Sequence, residues 1–227
     1  MYRTLIIMMS IYWVCNGNIK ASVMKIEKYN LESSQVCIPI PENYKDCLTL
    51  IKSDRYRKTG KELSSMSVIL NGLKHFNSDI LFWFRLSQYK KGILWAICRL
   101  MYAHVSQRYQ IQIPASTKIG YGLTLGHRTC MVINGGTIIG NNVNLSQFIN
   151  IGTNHKTPAI IGDNVYIAPH VSIVEDVKIN NNATIGAGSV VTRNVPENAT
   201  VAGVPAKVLN YDNPARYILH RWETKEQ

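Results

Sequence analysis

The chain has 227 residues, 46% of them hydrophobic, enough for a packed core in one large domain or two small ones. Its formal charge is +11, a balance that favours anionic partners such as cofactor phosphates, nucleic acid or acidic lipid. Cys15, Cys37, Cys47, Cys98 and Cys130 form no CxxC pair and their number is odd, which excludes a disulfide framework or a zinc ribbon and predicts a reducing, cytoplasmic setting.

Leu5 to Val14 is an apolar run after Arg3, too short to span a bilayer and followed by no small-x-small cleavage site. Residues 1–23 read as an apolar leader or as an upstream extension of a chain that starts at Met24. A loose membrane-associating segment at the inner face of the membrane and a secretion signal are the other readings.

Residues 24–112 read as a helical, basic region. Pro39 and Pro41 break the chain, after which Glu42 to about Lys61 has a helical pattern. From Ser64 to Gln88, Met66, Ile69, Leu70, Leu73, Phe76, Ile80, Leu81 and Phe84 recur at helical spacing, with Gly72 as a weak point. Ile93 to His104 is apolar on most sides, the pattern of a helix packed between neighbours. The excess of Lys and Arg is read as a solvated basic face. Contact with a membrane surface or an anionic glycan stays open, whereas no aromatic-basic module or helix-turn-helix spacing supports nucleic-acid binding.

From Ile113 the period changes to six. Aliphatic residues open successive hexads at Ile113, Ile119 and Leu125, then, after two extra residues, at Ile133, Ile139, Leu145 and Ile151. Four further extra residues precede Ile161, Ile167, Ile173, Ile179, Ile185 and Val191. A period of six is neither that of an amphipathic helix nor that of an alternating strand. It predicts a triangular parallel coil, one short strand and one corner per hexad, with three hexads per turn. The aliphatic residues face inward, and Gly, Asn and Asp serve corners that need positive φ. The expected fold is mainly β, a parallel β-helix over 113–209 preceded by the helical region and followed by a tail, 210–227.

The stretch from Ile113 to Val132 that contains Gly126-His127, together with Ile185-Gly-Ala-Gly-Ser-Val-Val and Ala202-Gly-Val-Pro-Ala-Lys207, resembles the serine acetyltransferase branch of the hexapeptide acyltransferases. The two-residue offset after His127 also matches that branch. The resemblance implies a left-handed coil, a homotrimer and an acetyl-CoA-dependent O-acetyltransferase with no metal. It implies that His127 is the catalytic base in a direct transfer. It also implies a cofactor groove between adjacent subunits, along which Gly152, Ala187 and Gly203 are small so that the cofactor lies close. Lys207, with Arg193 as a second candidate, would meet the cofactor phosphates.

Three departures from that branch bear on the acceptor. Its catalytic histidine has an aspartate fifteen residues upstream, where this chain has Gln112, which can fix a tautomer but brings no charge. The glycine-rich acceptor loop is about five residues shorter, leaving His155 and Thr157 as candidate acceptor contacts. The chain ends Thr-Lys-Glu-Gln, without the terminal isoleucine that docks the cysteine synthase complex, so that complex is not expected. The acceptor is therefore expected to be L-serine or a surface-polysaccharide sugar, with a lean to the sugar. Two alternatives remain on the same coil: a zinc hydrase like the γ-type carbonic anhydrases, drawing on His127, His155 and His170, and a non-catalytic scaffold.

Overall fold

The computed structural model describes residues 24–154, 157–174 and 176–223. The apolar run at residues 5–14, and His155 of the acceptor loop, lie outside the described residues.

Residues 111–202 wind into a three-walled parallel coil. The first wall stacks β3 (Ile111–Gln112), β6 (Met131–Ile133), β9 (Asn150–Ile151), β12 (Ser172–Ile173) and β15 (Val190–Val191). The second stacks β4 (Lys118–Ile119), β7 (Ile138–Ile139), β10 (Ile160–Ile161) and β13 (Lys178–Ile179). The third stacks β5 (Thr124–Leu125), β8 (Asn144–Leu145), β11 (Tyr166–Ile167), β14 (Thr184–Ile185) and β16 (Thr200–Ala202). The final strand β17 (Lys207–Asn210) adds antiparallel to β16. The predicted hexads thus become strands: from Ile119 to Val191, each hexad-opening aliphatic residue closes a short strand and is buried. Four residues beyond these, Leu123, Val143, Ile149, Val165, Val171, Val177 and Ala183 fill the same core. Removal from water of each such Val, Leu or Ile side chain contributes about 1.5–3 kcal/mol.

The corners follow the expected chemistry. Asn142, Asn164, Asn182 and Asn198 all have φ between 56 and 64° at the corner between the second and third walls. Asparagine tolerates this region because its side chain bonds locally. Here those bonds form a ladder: Asn164 Nδ2 donates to Asn182 Oδ1 at 3.1 Å, and Asn182 Nδ2 to Asn198 Oδ1 at 3.0 Å.

The region before the coil is not wholly helical. Residues 25–40 form an antiparallel hairpin, β1 (Lys25–Asn30) and β2 (Gln35–Ile40), with Ile26 opposite Pro39. Pro39 does not break the chain, because in a two-stranded ribbon its missing N–H costs no inner ladder bond. Val36 and Ile38 pack on Ile138, so the hairpin covers the second wall. Helices follow: α1 (Tyr44–Thr59), α2 (Ser65–Lys74), α3 (Ile80–Gln88) and α4 (Gly92–Tyr109). The break between α2 and α3 falls at His75–Asp79 and not at Gly72, where a Cβ would sit 2.4 Å from the Phe82 ring. Helix α4 buries one stripe, Leu94, Cys98, Tyr102 and Val105, and leaves Ile93 and Leu100 83% and 72% exposed. The expectation of a helix packed on most sides is not met among the described residues, where α3 and the coil supply a neighbour for one face only.

The tail returns along the third wall. The Ala215 amide donates to the Asn182 carbonyl (3.0 Å), the Tyr217 ring lies 4.6 Å from that of Tyr166, and the Trp222 amide donates to Asn142 Oδ1 (2.8 Å). It ends on α1, where the Trp222 and Tyr56 rings meet edge to face. Arg57 of α1 joins all three parts, donating to the carbonyls of Gly122 and Leu219 and to Asn144 Oδ1. The hairpin and the tail thus cover two walls. Among the described residues, the first wall has no such cover.

Candidate functional site

His127 sits where the coil departs from its own period. Stepping up the corner between the third and first walls, Gln110, Cys130, Phe148, His170 and Gly188 each take positive φ, one per turn. Their register is shown by backbone bonds: Cys130 N donates to the Tyr109 carbonyl, His170 N to Gln147 and Gly188 N to Pro169. The two-residue insertion places Gly126–Thr129 as a bulge in this corner, with His127 at φ 44°. The ring is exposed and has no hydrogen-bond partner among the described residues, leaving both nitrogens open to a substrate.

One side of this corner is a mostly apolar groove of about 710 Å³ on the uncovered wall. Its lining includes Gln112, Val132, Asn150, Cys130 and Phe148. Gln112 is exposed on β3, opposite Val132 of β6, which follows the His127 bulge directly. Sequence spacing put Gln112 on the turn next to His127, and it lies there, but no hydrogen bond joins them in the chain as it stands. Phe148 is 44% exposed and stacks on His170 with centroids 4.6 Å apart, an aromatic step that hexad counting did not reveal.

The candidate cofactor residues divide between two corners. Ala187 and Gly203 follow β14 and β16 on the His127 corner, with Lys207 exposed at the start of β17. Gly152 and Arg193 follow β9 and β15 on the opposite edge of the uncovered wall. Gly203 has φ 104°, so the backbone alone accounts for it. Gly152 is different: a Cβ there would meet nothing within 4 Å and its φ is not left-handed, so the fold of the single chain does not require glycine. Thr157 lies on the Gly152 edge, where its hydroxyl bonds Asp176 Oδ1 at 3.0 Å and holds the loop to the turn above. Within one chain, Gly152 and Thr157 therefore stand at the opposite edge of the first wall from His127.

A second recess, of about 200 Å³, is lined by Arg128, Lys58, Arg55, Asp79, Asp54 and His75 among others. These residues come from α1, the α2–α3 turn and the bulge, and nothing in their sequence spacing signals that they meet. Among the described residues, no three of His, Cys, Asp and Glu are placed to hold a metal ion, and no helix is long and apolar enough to cross a membrane.

Comparison with known proteins agrees with the coil. Residues 158–193 match the family described as bacterial transferase hexapeptide (six repeats). Serine acetyltransferase from Buchnera aphidicola subsp. Schizaphis graminum is 31% identical over 155 residues, covering 60% of this chain and 58% of its own. That of Haemophilus influenzae is 28% identical, covering 75% and 65%. The chain thus spans less than two thirds of the length of these relatives. A solved serine acetyltransferase in complex with CoA superposes with a TM-score of 0.55 at 28% identity, over 72% of this chain and 68% of that one. The serine acetyltransferase of Neisseria gonorrhoeae gives 0.54 at 27% identity, over 73% and 64%. These likenesses extend beyond the repeats into the helical cap. The architecture is that of a serine acetyltransferase-like hexapeptide-repeat protein.

Proposed function

We propose that this serine acetyltransferase-like chain is an acetyl-CoA-dependent O-acetyltransferase with His127 as its base. The observation that carries the reading is the bulge: the coil breaks its period at one corner, where an unpartnered imidazole stands and where Cys130 and Phe148 line a large groove. In the transfer, a His127 ring nitrogen takes the acceptor hydroxyl proton as the oxygen forms a bond to the thioester carbonyl carbon. The carbon–sulfur bond then breaks, and the imidazolium returns the proton to the leaving thiolate. Such proton transfer contributes roughly 10²–10⁴-fold.

The uncovered wall supports a homotrimer as the working form. Its two edges carry complementary parts of the site, so packing one subunit's Gly152 edge against a neighbour's His127 edge would bring acceptor loop and base together. Thr157 would then face the acceptor, while Gly152 would leave room for the cofactor. The acceptor is a small hydroxyl compound, L-serine or a sugar of a surface polysaccharide. A thiol-release assay with acetyl-CoA against serine, free sugars and glycan repeat units tests this. Release above solvent hydrolysis with at least one acceptor, abolished in His127→Ala, is expected. No release with any of them, together with no acetyl-CoA binding, would remove the transferase reading.

A further inference from the structure

The recess beside Arg128 is lined by charges that do not balance. Arg55 pairs with Asp79, whose other oxygen caps α3 by accepting the Phe82 amide at 3.3 Å. Asp54 is taken by Arg85. Both carboxylates are therefore already neutralised. Arg128 spends one N–H on the Ser78 carbonyl (2.9 Å) and has no carboxylate partner, and Lys58 has none either among the described residues. Two cations remain over a floor that includes Ile51, Leu81 and Phe82. Desolvation by the recess, then repulsion from Arg128, pushes the Lys58 ammonium below its ordinary value, with Asp79 and Asp54 opposing it only in part.

We infer that this recess binds an anionic group of the acceptor, a carboxylate or a phosphate, and so selects anionic acceptors over neutral ones. Its place supports the role: Arg128, which lines the recess, is the residue next to His127 and belongs to the same bulge of the coil. Arg128 still has guanidinium N–H groups to offer in bidentate fashion, and Lys58 adds a point charge. A volume near 200 Å³ takes such a head group with a few neighbouring atoms, not a whole sugar nucleotide. The inference rests on the O-acetyltransferase reading above, so its test separates the two.

Acceptors are compared in matched sets: N-acetyl-L-serine with N-acetyl-L-serinamide, and D-glucose with D-glucuronate and D-glucose 6-phosphate. Glucuronate and inorganic phosphate are also titrated calorimetrically into the whole chain without acetyl-CoA. The anionic members should show the lower KM. Lys58→Gln should raise that KM about tenfold while leaving acetyl-CoA and the neutral acceptors unaffected, and Lys58→Arg should restore it. Glucuronate against glucose 6-phosphate decides between carboxylate and phosphate. Equal use of neutral and anionic members, or an equal loss for both in Lys58→Gln, overturns the inference and leaves the transferase reading intact. If no acceptor turns over, the calorimetry decides: anion binding abolished by Lys58→Gln sustains the recess, and absence of anion binding overturns it.

Discussion

Asp54 of α1 and Arg85 of α3 form an ion pair withdrawn from solvent, with Arg85 Nε 2.9 Å from Asp54 Oδ2 and side chains 2% and 0% exposed. The pair is also the joint between helices and coil. Arg85 donates to the carbonyls of Ile119 (2.9 Å) and Gly120 (2.7 Å), and Asp54 Oδ1 accepts the Leu123 amide at 2.7 Å. Burial pushes the Asp54 carboxyl up, opposed by Arg85 and by the Leu123 N–H. Arg85→Met leaves that carboxylate buried without its cation, which should cost about 3–5 kcal/mol. Adding Asp54→Leu should recover part of the loss. Urea denaturation measures both, and a single variant within about 1 kcal/mol of the parent would show that the joint is not held by charge.

A second charged joint ties the hairpin to the coil and sets an acid limit. Lys118 Nζ lies 2.6 Å from Glu27 Oε2 and 2.5 Å from the Tyr29 hydroxyl, which itself donates to Glu27 at 2.7 Å. These bonds, Lys118 first and Tyr29 second, hold the Glu27 carboxyl at about 2 against an ordinary 4.5. A depressed acid stabilises the fold fully above its unfolded value and loses that contribution as pH falls through the folded one. Hairpin protection in hydrogen exchange should therefore decline between about pH 4.5 and 2, and the decline should flatten in Glu27→Gln. The same acid slope in both proteins would remove Glu27 as its origin.

How much of this was legible in the sequence depends on whether a contact is periodic. The inward residues from Ile119 to Val191 repeat at a fixed interval, so one short stretch specified the coil and the insertion that carries His127. Val36, Ile38 and Ile40 do alternate as a strand should, but their partner Ile138 lies about a hundred residues on, and Pro39 masked the pattern. The tail behaves alike, since Tyr217 and Trp222 acquire meaning only against Tyr166, Asn142 and Tyr56. The charged recess was invisible for the same reason: Lys58, Asp79 and Arg128 meet only once the helices dock on the coil.

The uncovered wall predicts association. Val132 and Phe148, each 44% exposed, line its groove, while the other two walls are shielded by the hairpin and the tail. Light scattering should give a trimer at micromolar concentration. Val132→Lys with Phe148→Asp should shift it toward monomer with loss of transfer, because the two edges of the site no longer meet. A fully active monomer would dispose of the arrangement.

The exposed Lys207 offers a separate check on the cofactor groove. A pyrophosphate and a ribose phosphate call for fixed positive charge, and a charge-assisted bond contributes about twice a neutral one. Lys207→Ala should weaken acetyl-CoA by about tenfold, and weaken its 3′-dephosphorylated analogue less if the ribose phosphate is the partner. An equal loss with both cofactors would place the lysine with the fold or at the pyrophosphate.

The proposed base His127 and its neighbour Gln112 give the most direct test. An exposed ring without a partner can be removed without opening a cavity, so His127→Ala should fold as the parent does. Its kcat should fall by roughly 10²–10⁴ with acetyl-CoA affinity nearly intact, as expected when proton transfer alone is lost. Gln112 lines the groove one turn away and donates no bond to the ring in the free chain. An aspartate in its place would put a negative charge near the imidazole and favour the protonated form. Gln112→Asp should therefore move the acidic limb of the kcat/KM profile to higher pH. An unchanged limb would separate Gln112 from the base, and a His127→Ala protein with most of its turnover would take the base away from this corner altogether.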